Sequence, residues 1–349
     1  MGGDIERAAG CLLGGAVGDA LGWPVEFSSW AEIRERFGPQ GVTGLTRAPG
    51  GLAEVTDDTQ MTLFTAEGLL QAECERAESG LWRPAEHIHG AYLRWLHTQG
   101  VKSRFPGFKR VKNRGWLVRI PGLYHKRAPG VTCTGALSGA AVGTPDNPLN
   151  SSKGCGGVMR VAPVGLAPFV SEPFTLGCQA AALTHGHPTG WLAGGALALI
   201  IRRLTEGAAL TEAVEEALAR LEKCPGSQEC REALEFALKQ ARNKSPSVET
   251  VEDIGEGWTA EEALAIAVYC ALAAENDFKA GVLLAVNHGG DSDSTGSVTG
   301  NILGALLGRA GIPRQWREGI ELAAVIEEMA QDLLTGYEDS PAWREKYGR

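Results

Sequence analysis

The sequence contains no Cys-x-x-Cys pair, although it has 8 cysteines, and aromatic residues make up only 7% of it. Scattered singly at 11, 74, 133, 155, 178, 224, 230 and 270, the cysteines support neither a zinc ribbon nor a thioredoxin-type motif. Half of them lie in apolar, alanine-rich surroundings that suit a small buried thiol, and a reducing cytoplasm is the expected compartment. Long apolar runs are absent as well. The longest, Trp191 to Ile201, is far too short to span a bilayer. The opening Met-Gly-Gly-Asp-Ile-Glu has neither the basic nor the apolar region of a secretory signal, and Glu6 breaks the myristoylation pattern. Positive charge is in deficit: a formal net charge of -9 removes the broad attraction expected of a nucleic-acid or anionic-membrane binder. A local basic run at Lys102, Arg104, Lys109, Arg110, Lys112 and Arg114 reads first as a solvated loop, with docking of an acidic or phosphorylated ligand as the alternative.

Stretches of alternating β-branched residues are scarce, whereas helical period is frequent. Ile5, Ala8, Ala9, Leu12 and Ala16 share one helical face; Met61, Phe64, Gly68, Leu69 and Ala72 share another; Ala263, Ile266, Ala267, Cys270 and Ala274 a third. Thr259 with Glu262 three residues on predicts a capping box before that third helix. Pro and Gly mark connections at 104–107, 121–130, 143–148 and 243–257. With 349 residues, no fixed-period repeat and no linker, the pattern predicts an all-α protein: one compact multi-helix domain over residues 1–349, expected to be a monomer.

Glycine is what the chain has in excess, 47 residues or roughly twice average usage. Gly14, Gly18 and Gly22 recur every four residues, as do Gly296, Gly300, Gly304 and Gly308, so each set forms a stripe along one helix. A glycine inside a helix costs about 1 kcal/mol relative to alanine. Close backbone contact has to offset that, so two unusually close helices are predicted.

Two short acidic clusters stand more than two hundred residues apart, Thr56-Asp57-Asp58 and Asp291-Ser292-Asp293-Ser294, each where a helix begins. Alone, either is an ordinary helix start, because Thr is a good N-cap and Asp in the first turn meets the helix dipole favourably. Together, four carboxylates flanked by hydroxyls form the hard oxygen set that Mg²⁺, Mn²⁺ or Ca²⁺ selects, and their charge matches two divalent cations. An EF-hand is excluded, since the twelfth position from Asp291 is Ile302 rather than a bidentate Glu. No G-x-x-x-x-G-K-[ST], G-x-S-x-G or H-E-x-x-H occurs. Ser151 through Arg160 reads either as a plain loop or as a glycine-rich turn facing a phosphate, with Arg160 beyond it. Thr184-His185-Gly186-His187-Pro188 is a turn from which a histidine is free to face a ligand or to serve the core. Glu26, among apolar neighbours just after the first helix, is a candidate acid or base whose pKa burial would raise.

Gly18-Asp19-Ala20-Leu21-Gly22 with Pro24 and Glu26, Thr56-Asp57-Asp58-Thr59, Ser152-Lys153-Gly154-Cys155-Gly156 with Met159-Arg160 and Pro163, Thr184-His185, and Gly289-Gly290-Asp291-Ser292-Asp293 follow one another in order. This series resembles the ADP-ribosylglycohydrolase family over about residues 5–310, leaving 311–349 as a C-terminal helical extension. The resemblance implies an all-α orthogonal multi-helix bundle with a dinuclear Mg²⁺ or Mn²⁺ centre. It implies Thr56, Asp57, Asp58, Asp291, Asp293 and Ser294 as metal ligands, Ser294 standing where the family usually has Thr. Glu26, with Asp58 and Asp293, would take the catalytic roles, and Ser151, Gly154, Cys155, Gly156 and His185 would line the ADP-ribose pocket. The implied activity is release of ADP-ribose from a modified protein side chain, foremost arginine. Hydrolysis of serine-linked ADP-ribose or O-acetyl-ADP-ribose, a non-catalytic ADP-ribose-binding or crystallin-like structural role, and a metal-dependent phosphohydrolase are the alternatives.

Overall fold

The computed structural model describes residues 2–49, 51–243 and 245–348. They form 18 α-helices joined by short 3₁₀ turns, and among them β-pairing is limited to two isolated bridges, Ala53 with Ile320 and Gly154 with Thr259. The all-α expectation is met. No described helix is long and apolar enough to cross a membrane.

The two glycine stripes lie against each other. The first helix, Gly2–Gly22, runs along the helix Ser292–Leu307, and the glycines pair in antiparallel order. A Cβ on Gly18 would stand 1.9 Å from the Gly296 carbonyl oxygen, and one on Gly300 would stand 2.0 Å from that of Gly14. At the far end of the contact Gly10 meets Gly304, extending the first stripe by a turn that its spacing already allowed. Gly308 departs from the expected stripe: it lies just past the helix end at φ 74°, a C-cap conformation suited to glycine. Asn301 sits beside Gly15 and donates its amide to the Cys11 carbonyl at 2.8 Å, while its Oδ1 is buried without a partner.

The acidic clusters ride on two long, almost wholly enclosed helices. In the helix Asp57–Ser79 every residue from 57 to 75 is buried, and in Ser292–Leu307 every residue from 292 to 305 is buried. The one-sided face read for the first of these is therefore incomplete: it is a central helix covered all round, which explains why polar Thr59, Gln60 and Thr65 share it with Met61 and Phe64. The third predicted helix is present as Ala260–Ala273, but without its capping box. Glu262 instead accepts from the Gly257 N–H at 3.2 Å, and the Thr259 hydroxyl is buried without a partner. The reason is backbone pairing across the core: the segment before this helix bridges the chain at 153–155, with Cys155 N–H donating to the Trp258 carbonyl at 3.0 Å and Ala260 N–H to that of Lys153 at 2.8 Å. Two expected connections also hold helical turns, Pro121–Tyr124 within 121–130 and Val248–Ile254 within 243–257, where Lys244 lies outside the described residues.

Gly300→Ala should lower stability to chemical denaturation by about 3 kcal/mol, at the upper end for overpacking a tight core, because its methyl would strike backbone that cannot turn aside. Gly135→Ala, inside the helix Val131–Ser138 with nothing near its Cβ position, should stabilise by up to about 1 kcal/mol. Equal effects at the two positions would contradict the close-contact account.

Candidate active site

Each acidic cluster caps its own helix. Thr56 is the N-cap of Asp57–Ser79, its hydroxyl accepting from the Asp58 N–H at 3.3 Å, and Asp291 is the N-cap of Ser292–Leu307, accepting from the Ser294 N–H at 3.3 Å. Both helix N-termini direct their first-turn N–H dipoles towards the clusters, which favours negative charge there. The first helix ties them together. Its glycine face fixes the Ser292 helix, while its Asp19, fully buried, accepts from the Thr56 N–H at 3.0 Å, the Thr59 N–H at 3.2 Å and the Thr59 hydroxyl at 2.5 Å.

At the centre the clusters meet. The Ser294 hydroxyl donates to Asp58 Oδ1 at 3.4 Å, and the Cys155 thiol donates to Asp291 Oδ2 at 2.7 Å. Carboxylate oxygens of Glu26, Asp291 and Asp293 lie within 4.8 Å of one another. Asp57 faces the other wall, where its Oδ2 accepts from the Gly130 N–H at 3.1 Å. Among the described residues no Lys or Arg pairs with any of these carboxylates; their partners are backbone N–H groups, hydroxyls and a thiol. Asp58 Oδ2 and Glu26 Oε2 are buried with no hydrogen-bond partner at all.

Such crowding disfavours ionisation. Burial, with added repulsion from Asp291, Asp57 and Asp19, pushes half-buried Glu26 up to about 8. Burial pushes Asp57 up to about 8 against the Gly130 hydrogen bond, and holds Asp58 and Asp293 well above the usual carboxylate range with help from neighbouring carboxylates. Partnerless oxygens in a dense, all-oxygen acidic pocket fit hard divalent cations, whose charge would replace the missing basic side chains.

The neighbouring hydroxyls are sorted by direction. Ser294 faces the carboxylates, whereas Thr295 turns inward to His288 Nε2 at 2.9 Å and to the Ala285 and Asp291 carbonyls. The glycine-rich turn packs on His185: Cβ positions on Gly154 and Gly156 would lie 3.6 Å and 3.1 Å from its ring. His185 is itself buried beside the Thr184 hydroxyl, and burial with the Arg160 charge holds it down at about 3, so it is neutral. Ser151 lies outside this group as an exposed residue; Ser152 instead accepts from the Gly154 N–H at 3.3 Å. Arg160 does not reach out to a phosphate. It is fully buried, donating to the Thr184 hydroxyl at 2.6 Å and stacking over Tyr92, so it braces the turn from behind. Asp19 and Gly130 carry weight here that the motif spacing did not assign to them. The only charged residue in the small and apolar stretch 8–25 was the available signal for Asp19; nothing local marks Gly130.

Against known proteins, the ADP-ribosylglycohydrolase family model matches residues 2–342. The chain is 28% identical to the ADP-ribosyl-[dinitrogen reductase] glycohydrolase of Rhodospirillum rubrum, covering 91% of each chain. It is 26% identical to the ADP-ribosylarginine hydrolase Tri1 of Pseudomonas putida, covering 95% of this chain and 78% of that protein. A solved structure described as an ADP-ribosylglycohydrolase-related protein complex superposes with a TM-score of 0.64 at 29% identity, covering 96% of this chain and 99% of the other. Facing helix N-termini crowded with carboxylates thus sit in a fold and a sequence that agree along nearly the whole chain: it belongs to the ADP-ribosylglycohydrolase family, hydrolases of ADP-ribose conjugates.

Proposed function

We propose that the chain, acting as a single domain, hydrolyses the N-glycosidic bond between ADP-ribose and a protein arginine at a centre of two Mg²⁺ or Mn²⁺ ions. The observation that carries this is the meeting of two Asp pairs around orphaned oxygens on Asp58 and Glu26. Thr56, Asp57, Asp58, Asp291, Asp293 and Ser294 would hold the ions, which when bound would fix the distal ribose through its hydroxyls and lower the pKa of a water. The arginine linkage is supported by the similarity to a protein named as an ADP-ribosylarginine hydrolase. Eight unpaired cysteines fit a reducing, cytoplasmic setting.

The protein's own part is orientation and proton handling. Glu26 stands at the edge of the acid cluster, where repulsion is partly relieved by any cation but the contribution of burial persists. It can therefore keep a proton near neutral pH and deliver it to the departing guanidino nitrogen, while water adds to the anomeric carbon. The products are ADP-ribose and unmodified arginine, and the released proton of the water returns to Glu26. Gly154, Cys155 and Gly156 offer a turn whose backbone can approach the substrate closely, with Ser151 at its outer edge and His185 beneath it.

An arginine-ADP-ribosylated protein should release ADP-ribose, seen by mass, with Mg²⁺ or Mn²⁺ present and not with excess chelator. Asp293→Ala should reduce kcat/KM by at least about a hundredfold, as loss of a metal ligand does. Phosphate as the product would point to a phosphohydrolase, and full activity in that variant would remove the proposed site. Stability supplies a second check. Glu26 and Asp57 keep their protons to about 8 in the folded chain, but to their ordinary 4.5 and 3.8 when unfolded. Their contribution is therefore fully present below the unfolded values and is lost as pH rises towards 8, so metal-free protein should be progressively easier to denature over that window. Saturating Mn²⁺ should flatten the slope and bind at two ions per chain by calorimetry; an unchanged slope would argue against ions among these carboxylates.

A further inference from the structure

Immediately after Glu26 the chain does something unusual. Phe27 adopts φ 67°, a left-handed conformation that a bulky residue rarely takes, and the residue is 72% exposed. The phenyl ring stacks on Trp258, with centroids 5.1 Å apart and planes within 19°. Both rings are fastened to the walls of the site. The Phe27 N–H donates to the Gly290 carbonyl, next to Asp291, and the Trp258 carbonyl accepts from the Cys155 N–H. Gly257, beside Trp258, packs on Asp291 and Thr295. A strained backbone that holds a large apolar ring in solvent, where burial would be favourable, is costly for the fold and calls for a reason outside it.

We infer that Phe27 and Trp258 form an aromatic ledge that receives the flat, cationic guanidinium of the modified side chain and so selects arginine-linked over hydroxyl-linked ADP-ribose. This rests on the reading of the acid cluster as the centre that holds the distal ribose. If the carboxylates hold that sugar, the group beside them on its far side from the diphosphate is whatever is attached to the anomeric carbon. An exposed aromatic face attracts a planar cation through the ring quadrupole and stacks on its flat face. A serine ether oxygen offers neither charge nor a flat face. The adenine ring is flat but neutral, and the diphosphate separates it from the sugar whose anomeric carbon bears the modified side chain.

The test compares Phe27→Leu and Phe27→Tyr with wild type on two substrates of one protein scaffold, arginine-linked and serine-linked, alongside inhibition by free ADP-ribose. Phe27→Leu should lower kcat/KM for the arginine linkage by about five- to twentyfold, mainly through KM. It should leave the serine linkage and the ADP-ribose inhibition constant within about twofold, and Phe27→Tyr should restore the arginine preference. An equal loss on both linkages, or no loss, overturns the ledge while the hydrolase reading stands. Weakened ADP-ribose inhibition in step with the arginine loss assigns the ring to adenine and also overturns it. A wild type inactive on both linkages would sink the hydrolase reading first, and the ledge with it.

Discussion

Backbone touching backbone along the glycine contact between Gly2–Gly22 and Ser292–Leu307 is the constraint from which the rest of the site follows. With carbonyl oxygens occupying the space where Cβ atoms would stand, the two helices have no freedom to slide or rotate without collision. Rigid register there fixes where Asp291 and Asp293 emerge. The same first helix then presents Asp19 from a different face, and its carboxylate takes the N–H groups that open the Asp57 helix. One helix thus sets the position of both acidic N-termini, which is how residues more than two hundred positions apart come within hydrogen-bond distance at Ser294 and Asp58.

Holding that many carboxylates in a dry pocket works against folding, and the helix geometry mitigates only part of the conflict. N-terminal dipoles and capping N–H groups stabilise Asp57 and Asp291, and Asp19 spreads its charge over three donors, the Thr56 N–H, the Thr59 N–H and the Thr59 hydroxyl. Asp58 and Glu26 keep oxygens that nothing in the chain satisfies. In a structural cluster such atoms would be expected to find donors, as the buried Glu67 does with Arg94 and two backbone N–H groups. Glu261 also has a partnerless buried oxygen, but its other oxygen pairs with Lys153; what sets the site apart is that its carboxylates crowd together with no Lys or Arg among the described residues to balance them.

Helical class, the two close helices and the pairing of the acidic clusters were all legible, because each is written as a period or a local composition: every fourth glycine, Thr-Asp-Asp, Asp-Ser-Asp-Ser. What could not be read were choices decided by tertiary neighbours. Thr259 and Glu262 satisfy the local rule for a capping box, yet the bridge from Lys153–Cys155 takes the backbone there and Glu262 turns to Gly257. Arg160 looked available to a phosphate in sequence, but the Tyr92 ring and Thr184 enclose it. Ser294 and Thr295 offer the same hydroxyl, and only the helix phase decides that one faces Asp58 and the other His288. The Phe27 stack needs the Trp258 turn, 231 positions away, and no local pattern announces it.

These features divide the labour between rigid and adjustable parts. The four Asp of the clusters stand at the starts of enclosed helices held by the glycine contact and by Asp19, so their spacing is set largely by backbone contact. The ledge and the glycine-rich turn stand on loops tied in by a few backbone hydrogen bonds, among them Phe27 to Gly290, Cys155 to Trp258 and Ala260 to Lys153. Substitutions in the helices therefore act through stability and cation geometry together, since the same atoms serve both. Substitutions in the loops can change which conjugate is accepted without disturbing the acid cluster, because a residue that is 72% exposed contributes little to the core. A fold built this way lets linkage preference vary while the carboxylate geometry stays fixed, which is the arrangement expected where one chemistry serves several ADP-ribosyl linkages.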